Sequence, residues 1–250
     1  MAGHNKWSKI KRKKGVEDSR RSKIFTKILK DVTIAVRESG PDPESNPRLR
    51  LAIANAKGVN MPKDNLNRAI NKASESGSAG YTEVTYEGYA PGGIAVYVEY
   101  ATDNLNRTVA NIRMYFTKHG GSLGTNGSIA FLFERKGIFT FPKLNREEEV
   151  FIMELIDAGA DDVEVDESNF IAYTSFENFG LMQKKLEESG IETESAELLR
   201  IPLNPSTVDI HTARKGLRFV EVLEEDDDVQ AVYHNMELTQ ELETQLDNED

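Results

Sequence analysis

Between residues 1 and 30 the chain carries 11 Lys and Arg against only Glu17 and Asp18. Six of these bases, Lys6, Lys9, Lys11, Arg12, Lys13 and Lys14, crowd around Trp7 and Ile10, and Arg20, Arg21, Lys23, Lys27 and Lys30 follow. Such density suits a phosphate backbone, because each neutralised phosphate releases condensed counterions and binding proceeds without reading bases. Trp7 adds a flat face that can stack on a base or a guanidinium plane, the alternative being an apolar plug beneath a helical bundle. Residues 48–73 have the length of a helix–turn–helix and would offer Lys63, Asn65, Asn67, Arg68, Asn71 and Lys72 to a groove, but any pair of antiparallel helices has that outline. Thr102 to Thr108, with Arg107, gathers polar groups at a helix start, where anions bind readily and where ordinary capping is the equal alternative.

Catalytic constellations are not evident. His4, His119, His211 and His234 lack metal-ligand spacing, and residues 119–128, though glycine-rich, lack the Gly-Lys-Ser/Thr of a phosphate loop and follow a helix instead of preceding one. Asp161-Asp162 and Asp226-Asp227-Asp228 read as solvated charge in turns. No nucleophile, base and orienting group can be nominated, so the expectation is a protein that is not an enzyme and uses no metal or cofactor. The chain has no cysteine, which excludes disulfides, zinc thiolates and iron–sulfur clusters. Apolar runs such as 94–98 fall far short of the roughly 18 residues of a membrane helix, and the basic N-terminus lacks the apolar stretch of a signal peptide. A cytoplasmic protein, with no membrane partner and no small-molecule substrate, is expected.

The net charge of −11 over 250 residues is unevenly placed. Residues 1–77 hold 18 Lys/Arg against 8 Asp/Glu, net +10, whereas 78–250 hold 13 against 34, net −21. A uniformly acidic protein would repel nucleic acid; this one can bring its N-terminal region to phosphate while the remainder stays away.

The elements that would position these groups follow from hydrophobic period. Residues 1–17 cannot bury a core and read as a mobile basic arm. Ile24, Phe25, Ile28, Leu29, Val32, Ala35 and Val36 predict a helix from Asp18 to Gly40, with Arg20, Lys23, Lys27, Lys30 and Arg37 on the opposite side. Helices over 47–57 and 62–73 complete a three-helix bundle, 18–77, that ends at a Gly/Ser hinge. Thereafter the period becomes two: a hairpin turning at Ala90-Pro91-Gly92-Gly93, a helix carrying Leu105, Val109, Ile112 and Phe116, and a strand at 128–133. Residues 137–203 read as βαββαβ, a ferredoxin-like unit. A helix with Ile210, Ala213, Leu217 and Val220 and a strand at 229–233 have nothing to pack on alone. They would complete the sheet begun in 78–136, making 78–136 plus 204–236 a discontinuous α/β domain with 137–203 inserted. Residues 237–250 read as a frayed acidic tail. The fold class is thus α+β and multidomain.

Gly3-His4-x-Lys6-Trp7-x-x-Ile10-Lys11, Phe25-Thr26-Lys27, Asn46-Pro47-x-Leu49-Arg50, Asn60-Met61-Pro62-Lys63-Asp64-Asn65, Tyr86-Glu87-Gly88-Tyr89 and Thr102-Asp103-Asn104-x-Asn106-Arg107-Thr108 together resemble the YebC/PmpR family. The resemblance spans essentially the whole chain. It implies a helical N-terminal domain and two α/β domains, the third inserted in the second, and a cytoplasmic DNA-binding regulator of transcription. Relatives such as the mitochondrial translational activator of cytochrome c oxidase act on translation, so the alternative implied is a ribosome-associated factor that binds rRNA or tRNA through the basic N-terminal region.

Overall fold

The computed structural model describes residues 17–75, 80–143 and 146–247. Helix α1 spans Glu17–Ser39. From Ile28 onward Lys30, Val32, Ile34, Ala35 and Val36 are all buried, so this half of the helix is enclosed on several sides. Gly40 ends it at φ +87°, its N–H donating to Val36 O at 2.8 Å, a left-handed cap open to glycine without steric cost. Helices α2 (Pro47–Gly58) and α3 (Lys63–Ser74) follow. Pro62, expected as the first helical residue, is instead the extended residue before α3.

The first sheet starts with the hairpin β1 (Thr82–Ala90) and β2 (Ile94–Thr102), in register from Thr82↔Thr102 to Ala90↔Ile94. Helix α4 (Leu105–Lys118) leads to a short strand β3 (Ser122–Leu123) beside β1. Much later in sequence, α7 (Ile210–Glu225) and β8 (Val229–His234) return, giving the strand order β3-β1-β2-β8. Ile94, Val96, Val98 and Tyr100, alternate residues of β2, share one core with Ile112 and Phe116 of α4 and with Leu217, Phe219 and Val220 of α7.

The second sheet lies between these pieces in sequence: β4 (Phe133–Pro142), α5 (Glu148–Ala158), β5 (Asp162–Val165), β6 (Asn169–Ser175), α6 (Phe179–Glu188) and β7 (Ser195–Pro202). Its order, β5-β6-β4-β7, is that of a ferredoxin-like βαββαβ unit, as the sequence predicted. Aromatic rings build its core, Phe139 stacking on Phe179 at 4.8 Å and Phe151 meeting Phe170 edge-on at 4.9 Å. A side chain at Gly137 would collide with the Phe179 ring, so glycine there permits the stack.

Among the described residues two compact units result: 17–27, 80–134 and 201–247 form one, and 28–75 with 135–143 and 146–200 form the other, the division falling inside α1. In the second unit Leu51 of α2 joins the aromatic core, and Asn55 Oδ1 accepts from Ala196 N at 3.2 Å. A Cβ on Gly58 would lie 2.1 Å from Glu194 O, so only glycine permits this approach.

Three expectations need correction. Residues 128–133 are not a strand of the first sheet: 130–132 form a 3₁₀ turn, and the strand is Ser122–Leu123, inside the glycine-rich stretch 119–128. The reason is Glu87, 2% exposed, whose carboxylate accepts the N–H groups of Gly127, Ile129 and Ala130 at 2.7–2.9 Å and so replaces the ladder those amides would otherwise need. Residues 237–250 are not simply a frayed tail, because α8 (Gln240–Asp247) forms and Leu238 and Leu242 are buried in the first core. Lys30, placed by period on the solvent side of α1, is 6% exposed because that half of the helix is enclosed.

Candidate nucleic-acid interface

Lys6, Trp7, Lys9, Lys11, Arg12, Lys13 and Lys14 lie outside the described residues, and Arg20 is described only as backbone of α1. On α1, Arg21 is exposed and sits over the Phe25 ring at 5.4 Å. Lys23 and Lys27 are half-buried and donate to backbone carbonyls of the first unit, Glu225 O at 3.5 Å and Gln230 O at 2.9 Å. Their stems and charges therefore also serve to seat the start of α1.

Helix α3 offers the most regular charged surface. Leu66 and Ala73 are buried beneath it, while Lys63, Asn67, Arg68, Asn71 and Lys72 are all exposed. Lys63, Asn67 and Asn71 follow one another at i, i+4, as do Arg68 and Lys72, so two ammoniums, a guanidinium and two amides occupy neighbouring rows. Asp64 is the one acid at its start. Asn65, also a sequence candidate, is half-buried.

Groups from the motifs quoted above fix the ends of α1 and α2 and the turn into α3. Asn46, 1% exposed, accepts from Leu49 N at 3.0 Å to cap α2 and donates to Ala35 O at 2.7 Å and Gly40 O at 2.8 Å, joining the end of α1 to the start of α2. Arg50 donates to Pro43 O and Glu44 O, holding the proline turn. Asn60 takes φ +54°, a left-handed conformation asparagine tolerates, to turn the chain into α3.

Arg107 has a different setting. Its guanidinium donates to Asp103 Oδ1 at 2.8 Å and to the largely buried Asp228 Oδ2, which is also 3.2 Å from Nε. These hydrogen bonds, the Asp228 bond foremost, hold Arg107 in its charged form. Thr102 and Thr108, both fully buried, complete the cluster: Thr102 donates to Asp228 and Thr108 to Thr102. Asn104 caps α4 through Arg107 N. Asp226 accepts from Asn111 and from the Tyr115 hydroxyl at 3.1 Å. Partial burial and then the Asp226 charge push the Tyr115 phenol up to about 12.

The capping alternative thus describes residues 102–108, and Asp226 and Asp228 are structural acceptors where the sequence suggested solvated charge. The sequence reading missed Glu87 and Asp228 because their partners lie at least 40 residues away; the only signal was their association with glycine-rich and Asx-rich motifs. Among the described residues, no three His, Asp or Glu side chains gather as a metal cluster, and no helix is long and apolar enough to cross a membrane.

Comparison with known proteins places these features in a lineage. A family model for the TACO1/YebC N-terminal domain matches residues 5–76, and one for the TACO1/YebC second and third domain matches 81–236. Curated relatives named probable transcriptional regulatory protein include one from Amoebophilus asiaticus, 51% identical over 94% of this chain and 98% of its own, and one from Chlorobaculum tepidum, 46% identical over the whole of both. A crystal structure of a conserved hypothetical protein from Aquifex aeolicus superposes with a TM-score of 0.80 at 43% identity, covering 89% of this chain and 93% of that one. The chain belongs to the TACO1/YebC family, whose curated bacterial relatives are named as probable regulators of transcription.

Proposed function

We propose that this protein is a non-enzymatic regulator of gene expression in the cytoplasm that binds duplex DNA. Its phosphate contacts come from the arm (Lys6, Lys9, Lys11, Arg12, Lys13, Lys14), from the start of α1 and from Lys63, Arg68 and Lys72. The observation that carries this reading is the exposed face of α3, where amides and cations stand on a rigid helix as base and phosphate readers require. The charge of Arg107 is engaged by Asp103 and Asp228, so its part is to position α4.

A second reading, a ribosome-associated translation factor, is favoured by one feature. The densest bases lie in the arm beside Trp7, a composition suited to irregular RNA, where bases stack and charge follows the backbone. Two measurements separate the readings: selection of duplexes from a random pool, and sedimentation of cell extract through sucrose with the full chain or one lacking residues 1–17. Duplex regulation predicts a site preferred about 10³-fold or more over random sequence. Arm-dependent migration with ribosomes and no enriched duplex would replace the first reading with the second.

A further inference from the structure

Helix α5 is apolar on both sides. Phe151, Leu155 and Ala158 fill the core beneath it, yet Val150, Met153 and Ile156 on the outer side are 50%, 67% and 52% exposed, and Leu181 of α6 is 64% exposed. A helix apolar all round is ordinarily covered, and an apolar stripe with a charged rim marks a contact surface. Here the rim is mainly acidic, its α6 side also carrying Lys184, which pairs with Glu188 at 3.6 Å, and Lys185. Glu147, Glu148, Glu149, Glu154 and Asp157 are all exposed, and α5 contains no base.

The bases nearby are engaged. Arg146 lies over the Phe151 ring at 4.1 Å, Lys143 pairs with Glu148 at 3.3 Å, and Lys185 donates to Asp157 O at 3.0 Å. A shallow groove along α5 is lined by Val150, Glu154 and Ile191 with Arg146 at one end, and continues past Asp157, Lys185 and Glu188. Its complement is a segment with large apolar anchors set among cations. Residues 3–14 are such a segment: Trp7 and Ile10 stand among six bases, and no acid precedes Glu17.

We infer that the outer face of α5 and α6 is the docking site for the N-terminal arm of a second copy of this chain. Trp7 and Ile10 cover Val150, Met153 and Leu181, and the flanking lysines face the acidic rim. The contact is heterologous, arm to groove, so copies associate head to tail. The self-association stands independently of the proposed function. Its regulatory consequence rests on that function: the six bases that would bind phosphate are those that bind the groove, so nucleic acid and a second copy exclude one another, each weakening the other by the same factor.

Trp7 is the only tryptophan, so its fluorescence reports the arm directly. In the full chain, Trp7 emission should shift to the blue as concentration rises, in step with association seen by sedimentation velocity, and both should vanish at 0.5 M NaCl. Met153→Glu and Leu181→Glu alter exposed side chains and should each abolish both signals with circular dichroism unchanged. As a second measurement, a synthetic peptide of residues 1–16 is titrated into full-length Trp7→Phe protein, where the peptide carries the sole tryptophan. Binding should weaken about tenfold or more when Met153→Glu is added, as expected for losing one buried apolar anchor. Emission independent of concentration, or insensitive to both Met153→Glu and Leu181→Glu, overturns the inference. If association behaves as expected but duplex or RNA oligonucleotides fail to reverse it, the nucleic-acid reading fails and the docking site stands; if oligonucleotides bind and no association occurs, the docking site fails alone.

Discussion

Glu87 shows how one buried carboxylate can define a loop. Its two oxygens accept three amides from residues 127–130, while its own carbonyl accepts Gly124 N at 2.7 Å. Replacing it with glutamine turns one acceptor into a donor facing N–H groups, and leaving a buried donor unsatisfied costs about 1–3 kcal/mol. Glu87→Gln should therefore lower the denaturation midpoint at unchanged m-value, and Gly127, Ile129 and Ala130 should lose hydrogen-exchange protection first. Thr102 has a comparable role, because its hydroxyl donates to Asp228 and accepts from Asn104 N at 3.0 Å and from Thr108. Thr102→Val keeps the shape and removes all three bonds, so a loss on the order of 1–3 kcal/mol is expected in chemical denaturation. Tyr115 supplies a pH signature. Its raised pKa means that the fold favours the neutral phenol, so its contribution is complete below pH 10, the ordinary tyrosine value, and is lost as pH climbs through about 12. Relative to wild type, Tyr115→Phe should show a shallower fall in stability between pH 10 and 12. Equal slopes would show that the Asp226 contact does not couple to the fold.

At the level of elements, the helices and long strands were legible wherever the apolar period was uninterrupted, as in α4 (Leu105, Ile112, Phe116), α7 and the β1–β2 hairpin. The second sheet was legible as well, because its βαββαβ order is local in sequence. What escaped was decided by distant partners. Strand β3 is only two residues long and exists because Gly88 and Gly121 let the chain lie against Phe116 and the β1 backbone. The solvent stripe assigned to α1 failed at Lys30, since one helix's period cannot reveal that it is enclosed from several directions. Of the residues the sequence offered on α3, Lys63, Asn67, Arg68, Asn71 and Lys72 are exposed and Asn65 is half-buried, because the polar side opposite Leu66 and Ala73 is itself periodic and Asn65 sits beside Leu66 at its edge. That face can be dissected by chemistry. Lys63→Ala/Arg68→Ala/Lys72→Ala removes three cations and should flatten the slope of log affinity against log salt by about 2.7 on duplex DNA, or about 2.1 on single strands. Asn67→Ala/Asn71→Ala should leave the slope unchanged and reduce discrimination between sites, by about 1–3 kcal/mol for each adenine that is no longer read. An unaltered slope in the triple variant would remove α3 from the interface.

For the molecule as a whole, the question is whether 137–203 is an autonomous insert in a discontinuous domain, as we propose from the sequence order. Several observations bear on it. Leu203 N donates to Leu132 O at 2.9 Å, so the chain leaves and re-enters the first unit at neighbouring points. The two sheets also have separate cores, one around Val96, Phe116 and Phe219, the other around Phe139, Phe151 and Phe170. Against full autonomy, Leu51 and Asn55 of α2 pack on the second sheet, and residues 28–75 belong to its compact unit. Replacing 137–203 with a short Gly/Ser linker should therefore divide the consequences. The first sheet should keep its near-ultraviolet signal, which arises from rings such as Tyr86 and Tyr100 in edge contact at 5.4 Å, and should unfold cooperatively. Helices α2 and α3 should lose exchange protection, because Leu51 then faces water and Asn55 loses Ala196. Nucleic-acid affinity should fall with them even though no cation has been removed, which would tie the placement of the α3 face to a sheet distant in sequence. Loss of the near-ultraviolet signal together with the cooperative transition would show instead that the two cores fold as one.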